Sequence, residues 1–191
     1  MGEPLLNYKN VVTSIDRITN DIGLGMSPKR ITVSTAGISK MIVKLADDKV
    51  KFRLALSLHA ANDKKRSEIM PINDQNTLES LAEALDYFHS QTKNRVTFEY
   101  IIFKHFNDTL IDAEELVKFH KKVPGRVNII EYNPIDDGEF EQADEDKVDA
   151  FAAYLEQNKV TVNIRRSRGK DIDAACGQLA NKNQAAVEVN P

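Results

Sequence analysis

Polar side chains follow several predicted strands of this sequence, where parallel sheets collect their ligand-binding groups. Ser34 ends one short apolar stretch, Ser57-Leu58-His59 ends a second, and Asn133 ends a third. In α/β proteins, binding and catalytic groups gather at the carboxyl ends of the strands. Taken singly, Ser34 and Asn133 can cap turns and His59 can be a hydrogen-bonded structural histidine. Their joint placement favours a binding site.

The chain opens with the turn-like segment Gly2-Glu3-Pro4. A glutamate that glycine and proline fix at a strand end can hold an ammonium group through a charge-assisted hydrogen bond. The structural alternative is a tight turn before a helix, because three residues are a weak pattern.

A single cysteine, Cys176, lies among carboxylates and small residues in the segment 171–177. This setting predicts an accessible thiol, unlike the apolar surroundings of an inert core cysteine. A spectator surface thiol is the alternative. One cysteine cannot form an internal disulfide, nor can it supply a multi-thiolate metal or iron–sulfur site by itself.

The composition of the 191 residues, 41% hydrophobic and 29% charged, is typical of one ordinary soluble domain. With 26 basic and 29 acidic residues the net charge is −3, so any nucleic-acid binding must come from a local patch. The apolar runs are far shorter than the roughly 20 residues of a spanning helix. We therefore expect no membrane partner, and the absence of a leader pattern predicts a cytoplasmic location.

Apolar spacing predicts alternating helices and strands, and therefore a parallel sheet that is either open or closed into a barrel. We expect residues 1–180 to form this domain and 181–191 to be a disordered tail. Because an α/β fold rarely begins with a loop and a helix, we expect Met1 to be an internal methionine of a longer protein. The predicted helices are 8–22, 38–45, 76–91, 111–122 and 148–155, and the predicted strands are 30–34, 52–58, 96–103, 127–132 and 160–164.

Several separated blocks together resemble the C-terminal half of the RlmN/Cfr family of radical S-adenosylmethionine (radical SAM) RNA methyltransferases. The resemblance implies an α/β fold, the partial (β/α)6 radical SAM barrel, here lacking its first two strands. The blocks are Leu56-Ser57-Leu58-His59-Ala60, Met70-Pro71-Ile72-Asn73, Tyr132-Asn133-Pro134 and Arg168-Gly169-Lys170-Asp171-Ile172-Asp173-Ala174-Ala175-Cys176-Gly177-Gln178-Leu179.

The resemblance also implies roles for individual residues. Gly2 and Glu3 match the motif that binds the amino group of S-adenosylmethionine, and Cys176 matches the cysteine that carries the methyl group. No metal ligand is implied within this chain. Further positions that match cofactor contacts are Ser34, Ser57, Leu58, His59 and Asn133.

The implied activity is methylation of C2 of an adenosine in large-subunit ribosomal RNA. Cys176 would first take a methyl group from one S-adenosylmethionine. A reduced [4Fe–4S] cluster, fed by an electron donor, would then cleave a second molecule to a radical that activates this methyl group, and another cysteine would release the product. The cluster motif CxxxCxxC and the second cysteine are absent from these residues. We therefore expect this chain, a monomer, to be inactive alone.

Two other interpretations stay open. One is a non-catalytic RNA-binding module that uses Arg165, Arg166, Arg168 and Lys170 against phosphates, with salt-sensitive binding. The other is a different radical SAM enzyme, although the block 168–179 with its cysteine argues against it. The resemblance leaves open C2 or C8 as the methylated carbon and transfer RNA as a further substrate.

Overall fold

The computed structural model describes residues 2–134 and 139–166, in which helices and strands alternate along the chain. Short 3-10 helices at Pro4–Asn7, Pro28–Arg30 and Pro71–Asp74 complete the architecture. The main elements are α1 (Tyr8–Thr19), β1 (Thr32–Thr35), α2 (Ser39–Asp47), β2 (Arg53–Ser57), α3 (Asp63–Ile69), α4 (Leu78–Thr92), β3 (Val96–Ile102), α5 (Leu110–Lys122), β4 (Gly125–Glu131), α6 (Glu145–Gln157) and β5 (Val162–Arg165).

The five strands form one parallel sheet whose spatial order, β1-β2-β3-β4-β5, is also their order in the sequence. Every crossover therefore advances in the same direction, and right-handed crossovers place the connecting helices on one face of the sheet. The helices contact one another in turn, α2 with α4, α4 with α5, and α5 with α6. The predicted parallel α/β architecture is confirmed.

The two faces of the sheet differ in polarity because side chains alternate along each strand. In β3, Phe98 and Tyr100 are buried against the helices, whereas Thr97 and Glu99 lie on the other side and are partly exposed. We call this other side the open face. Its polar side chains are Thr32, Ser34, Arg53, Ser57, Thr97, Glu99, Arg126, Asn128, Asn163 and Arg165.

The first helix is shorter than its apolar periodicity predicts. It ends at Thr19, and the prediction that it reaches Ile22 is wrong. The side-chain Oδ1 of Asn20 accepts the backbone N–H of Ile22 at 2.9 Å, and such a local bond competes with helical hydrogen bonding. Ile22 is consequently 97% exposed.

Helix α3 was not predicted, because Asp63–Ile69 is almost entirely polar and shows no apolar periodicity. Its start is defined by Asn62, whose side chain accepts the backbone N–H of Lys65. The side chain that this helix buries is Arg66. Within the described ranges, no helix combines the length and the apolar character that a bilayer-spanning segment needs.

Candidate functional site

Glu3 is fixed at the carboxyl end of β1 by three hydrogen bonds. Its Oε1 accepts the Thr35 hydroxyl at 2.8 Å and the Leu5 N–H at 3.0 Å, and its Oε2 accepts the Ala36 N–H at 2.7 Å. The preceding residue, Gly2, is exposed. Glu3 is the N-cap of the 3-10 helix Pro4–Asn7, and its carboxylate is at the same time held at the sheet edge. A carboxylate oxygen that accepts one bond can accept another, so Oε2 can receive a further donor.

The fully buried guanidinium of Arg66 joins the ends of β1 and β2. Its Nη2 donates to the carbonyl of Ala36 at 2.6 Å and to that of Ser57 at 3.2 Å. Its Nε donates to the carbonyl of Leu58 at 3.2 Å, and its Nη1 donates to Oδ1 of Asn73 at 2.8 Å. Three backbone carbonyls from two strand ends are thus held by one side chain.

Asn73 orients this guanidinium and is itself held in place. Its Nδ2 donates to the backbone carbonyl and Oδ1 of Asp63 and to the Ser67 hydroxyl, at 3.0–3.1 Å. Burial lowers the pKa of Arg66 to about 10, against the opposing charge of Asp63, and the group stays charged at neutral pH. The structure thus gives a positioning role to Asn73, the last residue of the block 70–73.

His59 continues β2 in the left-handed backbone region, with φ of 55°. Its Nδ1 accepts the backbone N–H of Ile101 at 3.1 Å, and its carbonyl accepts Nδ2 of Asn107 at 2.7 Å. Since Nδ1 is an acceptor, the neutral ring carries its proton on Nε2. Burial and the charge of Arg66 lower the pKa of His59 to about 4, so the ring is neutral at pH 7. His59 therefore has the structural hydrogen bonds that the sequence allowed for. Its Nε2–H has no partner among residues 2–134 and 139–166.

The remaining predicted contacts fall into two groups. Ser34 and Ser57 lie on the open face, and neither caps a helix in the described part of the chain. Leu58 is fully buried in the hydrophobic core, so only its backbone can contact a ligand. Asn133, just past β4, is only 5% exposed, and its buried Oδ1 has no hydrogen-bond partner in the described residues.

The open face lines a cavity of about 610 Å³ that is strongly cationic. Its single acidic side chain among the described residues is Glu99, and the nearest cation to it is Arg165, with Nη1 3.9 Å from Oε2. No other lining cation has a described carboxylate within 4.0 Å. The six lining cations are Lys29, Arg53, Lys93, Arg95, Arg126 and Arg165.

The two described residues of the basic run that was predicted to contact phosphates have different surroundings. Arg165 faces the cavity, whereas Arg166 is engaged by Glu131 at 3.3 Å and by Asp149 at 3.0 Å. Arg168, Lys170 and Cys176 lie outside the described residues, as does the predicted tail 181–191.

The residues present suit a small polar ligand better than they suit a metal cluster. The donor Nε2–H of His59, the unpartnered Oδ1 of Asn133 and the spare acceptor capacity of Glu3 can all serve a small polar ligand. The described residues contain no group of three His, Cys, Asp or Glu side chains that could hold a metal ion. With one cysteine in the sequence, this chain cannot provide the thiolates of a [4Fe–4S] cluster.

No known protein-family model matches the chain. Among curated proteins, it is 59% identical over 182 residues to the "Probable dual-specificity RNA methyltransferase RlmN" of Christiangramia forsetii. It is 46% identical over 188 residues to the protein of the same name from Salinibacter ruber. These matches cover 95% and 97% of this chain but only 52% and 51% of the relatives, so the chain spans about half their length.

The fold is similar to that of a solved radical SAM methyltransferase from Sphaerobacter thermophilus, with a TM-score of 0.89 and 35% identity. The match covers 93% of this chain and 52% of that one. A domain of a pyruvate-formate lyase-activating enzyme from Bacteroides vulgatus shares the fold alone, with a TM-score of 0.66 at 12% identity. The predicted fold class, part of a radical SAM barrel, is confirmed.

Proposed function

We propose that this chain, which spans about half the length of the RlmN-type radical SAM RNA methyltransferases that it resembles in sequence and fold, is the cofactor-binding part of such an enzyme. In this proposal the complete enzyme methylates C2 of an adenosine in large-subunit ribosomal RNA, and transfer RNA is a further substrate. It acts in the cytoplasm as a monomer with an external electron donor. The observation that carries the proposal is that the side chains of Glu3, Arg66 and His59 are all held by hydrogen bonds at one edge of the sheet.

Several polar groups at this edge have a chemical counterpart in S-adenosylmethionine. Oε2 of Glu3 would accept the ammonium, Nε2–H of His59 would donate to an acceptor of the cofactor, and Oδ1 of Asn133 would accept one of its donors. The hydroxyls of Ser34 and Ser57 complete the set, and Leu58 contributes its backbone. Bound S-adenosylmethionine supplies the methyl group and, with a [4Fe–4S] cluster, the radical chemistry of this family.

Cys176 is the proposed methyl carrier. As a thiolate, its Sγ would attack the sulfonium methyl carbon, so that an S–CH3 bond forms, the original sulfonium–methyl bond breaks and S-adenosylhomocysteine leaves. The thiol proton is released to solvent. The support for this role is the match of the block around Cys176 with the family.

A chimeric enzyme tests the proposal directly. This chain would replace the matching 182 residues of the Christiangramia forsetii relative, and methylated adenosine in ribosomal RNA would be measured by mass spectrometry in a strain lacking its own enzyme. We expect the chimera to restore methylation and its Cys176→Ala variant to abolish it. Methylation that survives Cys176→Ala would refute the carrier role. An inactive chimera beside an active relative would refute the proposed function of this chain.

One observation favours a second candidate, RNA binding that needs no cofactor. The cavity cations Arg53, Arg95 and Arg126 have no described carboxylate within ion-pair distance, and unpaired cations on one face suit a phosphate backbone. The engaged Arg166 fits this candidate less well. An RNA affinity that falls steeply with salt concentration and does not change when S-adenosylmethionine is added would favour this candidate.

A further inference from the structure

Glu99 stands beside the proposed cofactor contacts although neither sequence pattern nor family resemblance singled it out. It pairs with Ser57 of β2 on one side and with Asn128 of β4 on the other. Its carbonyl accepts the backbone N–H groups of Leu58 at 2.9 Å and of His59 at 3.3 Å. Glu99 is therefore level with the end of β2, and its side chain lies on the open face like that of Ser57.

The two oxygens of the Glu99 carboxylate differ in their hydrogen bonding. Oε1 accepts Nδ2 of Asn128 at 2.9 Å. Oε2 is buried and has no hydrogen-bond partner in the described part of the chain. Nη1 of Arg165 lies 3.9 Å from it, beyond hydrogen-bond distance, and the side chain as a whole is 16% exposed.

A buried carboxylate oxygen without a donor is costly, since it has lost its water and gained no replacement. Such a group in a native protein calls for a partner. The Glu99 side chain lines the cavity that Ser34 also lines, so a ligand bound there can supply the missing donor to this buried oxygen.

We propose that Glu99 is a cofactor-binding residue whose Oε2 accepts a hydrogen bond from a ribose hydroxyl of S-adenosylmethionine. This inference rests on the proposed function. Glu3 already accounts for the ammonium, and a carboxylate is the acceptor that α/β nucleotide sites use for ribose hydroxyls. Asn128 donates to Oε1, which leaves Oε2 as the carboxylate oxygen that can accept a further hydrogen bond.

The test compares two ligands that share the ribose and differ in charge. Binding of S-adenosylmethionine and of S-adenosylhomocysteine, which lacks the sulfonium charge, would be measured by calorimetry for the 191-residue chain, for Glu99→Gln and for the control Glu114→Gln. Glutamine keeps the shape of the side chain and an acceptor for Asn128. Glu114 is an exposed residue of α5 whose carboxylate pairs with Lys118.

We expect Glu99→Gln to weaken both ligands equally, by roughly 10-fold, as for a lost hydrogen bond to a charged group. The control should bind both ligands like wild type. Weakening of S-adenosylmethionine alone would show attraction to the sulfonium and overturn the hydroxyl contact. Unchanged binding of both would overturn the inference while the proposed function stands, and a wild-type chain that binds neither ligand would overturn both.

A second variant separates ligand binding from pairing with Arg165. If Glu99 serves the ligand directly, Arg165→Gln, which removes one of the cavity cations, weakens S-adenosylhomocysteine less than Glu99→Gln does, because Nη1 of Arg165 lies 3.9 Å from Oε2 and outside hydrogen-bond distance. An equal loss in Arg165→Gln and Glu99→Gln would show that the ion pair shapes the cavity, and the inference would fail.

Discussion

The same strands build two faces of the sheet that have little in common. On the helix-covered face, Leu54, Leu56 and Phe98 are fully buried in the hydrophobic core. On the open face, the residues that alternate with them, such as Arg53 and Thr97, line a cationic cavity. The comparison teaches that adjacent residues of one strand divide between the hydrophobic core and a polar, cavity-lining surface.

The separation explains how the open face tolerates so many cations. Like charges repel, and repulsion destabilises a compact state. Apolar burial is concentrated on the helix-covered face. The stability gained from that burial offsets the repulsion among the cations of the open face. Substitutions that change a side chain on one face and leave the other face intact can test this division.

The largest effect is expected on the covered face. Phe98 is fully buried and packs edge-on against Phe119, with ring centroids 5.6 Å apart. Phe98→Ala should lower the free energy of unfolding by about 3–5 kcal/mol, through lost burial and the cavity left behind. Urea unfolding followed by circular dichroism would measure it.

The matched control is the preceding residue of β3. Thr97→Ala on the open face should change the free energy of unfolding by less than about 0.5 kcal/mol, because its side chain is partly exposed and outside the core. Comparable losses at Phe98 and Thr97 would contradict the division between the faces.

A smaller loss of stability is expected from substitution of Arg66, which joins the carboxyl ends of β1 and β2. Arg66→Met should lower the free energy of unfolding by about 3 kcal/mol, because three backbone carbonyls lose their donor. Removing its charge should also raise the pKa of His59, since that charge is one cause of the lowered value. Titration of the His59 ring by NMR separates this effect from stability, and an unchanged pKa would contradict the coupling.

The smallest of the three expected losses of stability depends on pH. His59 has a pKa of about 4 in the folded chain and an ordinary value of 6.5, so the unfolded chain takes up the proton first as the pH falls. The stability that this residue contributes is present above pH 6.5 and is lost towards pH 4. We expect a loss of about 2 kcal/mol, because partial exposure reduces the full effect of the shift.

The control for this prediction is His59→Asn, since asparagine tolerates the left-handed backbone that His59 adopts. Urea unfolding at pH 7 and pH 4.5 should show a smaller pH dependence in the variant. An equal dependence would assign the effect to carboxylates elsewhere.

Much of the fold was predictable because its strands alternate clearly. The pattern around Leu54 and Leu56 identified β2, and the polar residues after the strands indicated the sheet edge at which the candidate site lies. Arg66 could not be found this way, since hydropathy places arginine at the surface and only the folded chain shows three carbonyls converging on it. Glu99 was hidden because the run 96–103 is mostly apolar, which obscures the face that each residue takes.

The sheet order has a consequence for how the chain is made. Because each strand pairs with the one before it in the sequence, every new strand emerging from a ribosome finds its neighbour already synthesised. Each step closes only the loop of one crossover, which keeps the entropy lost at each addition small. The sheet can therefore grow strand by strand during translation, without waiting for a distant partner.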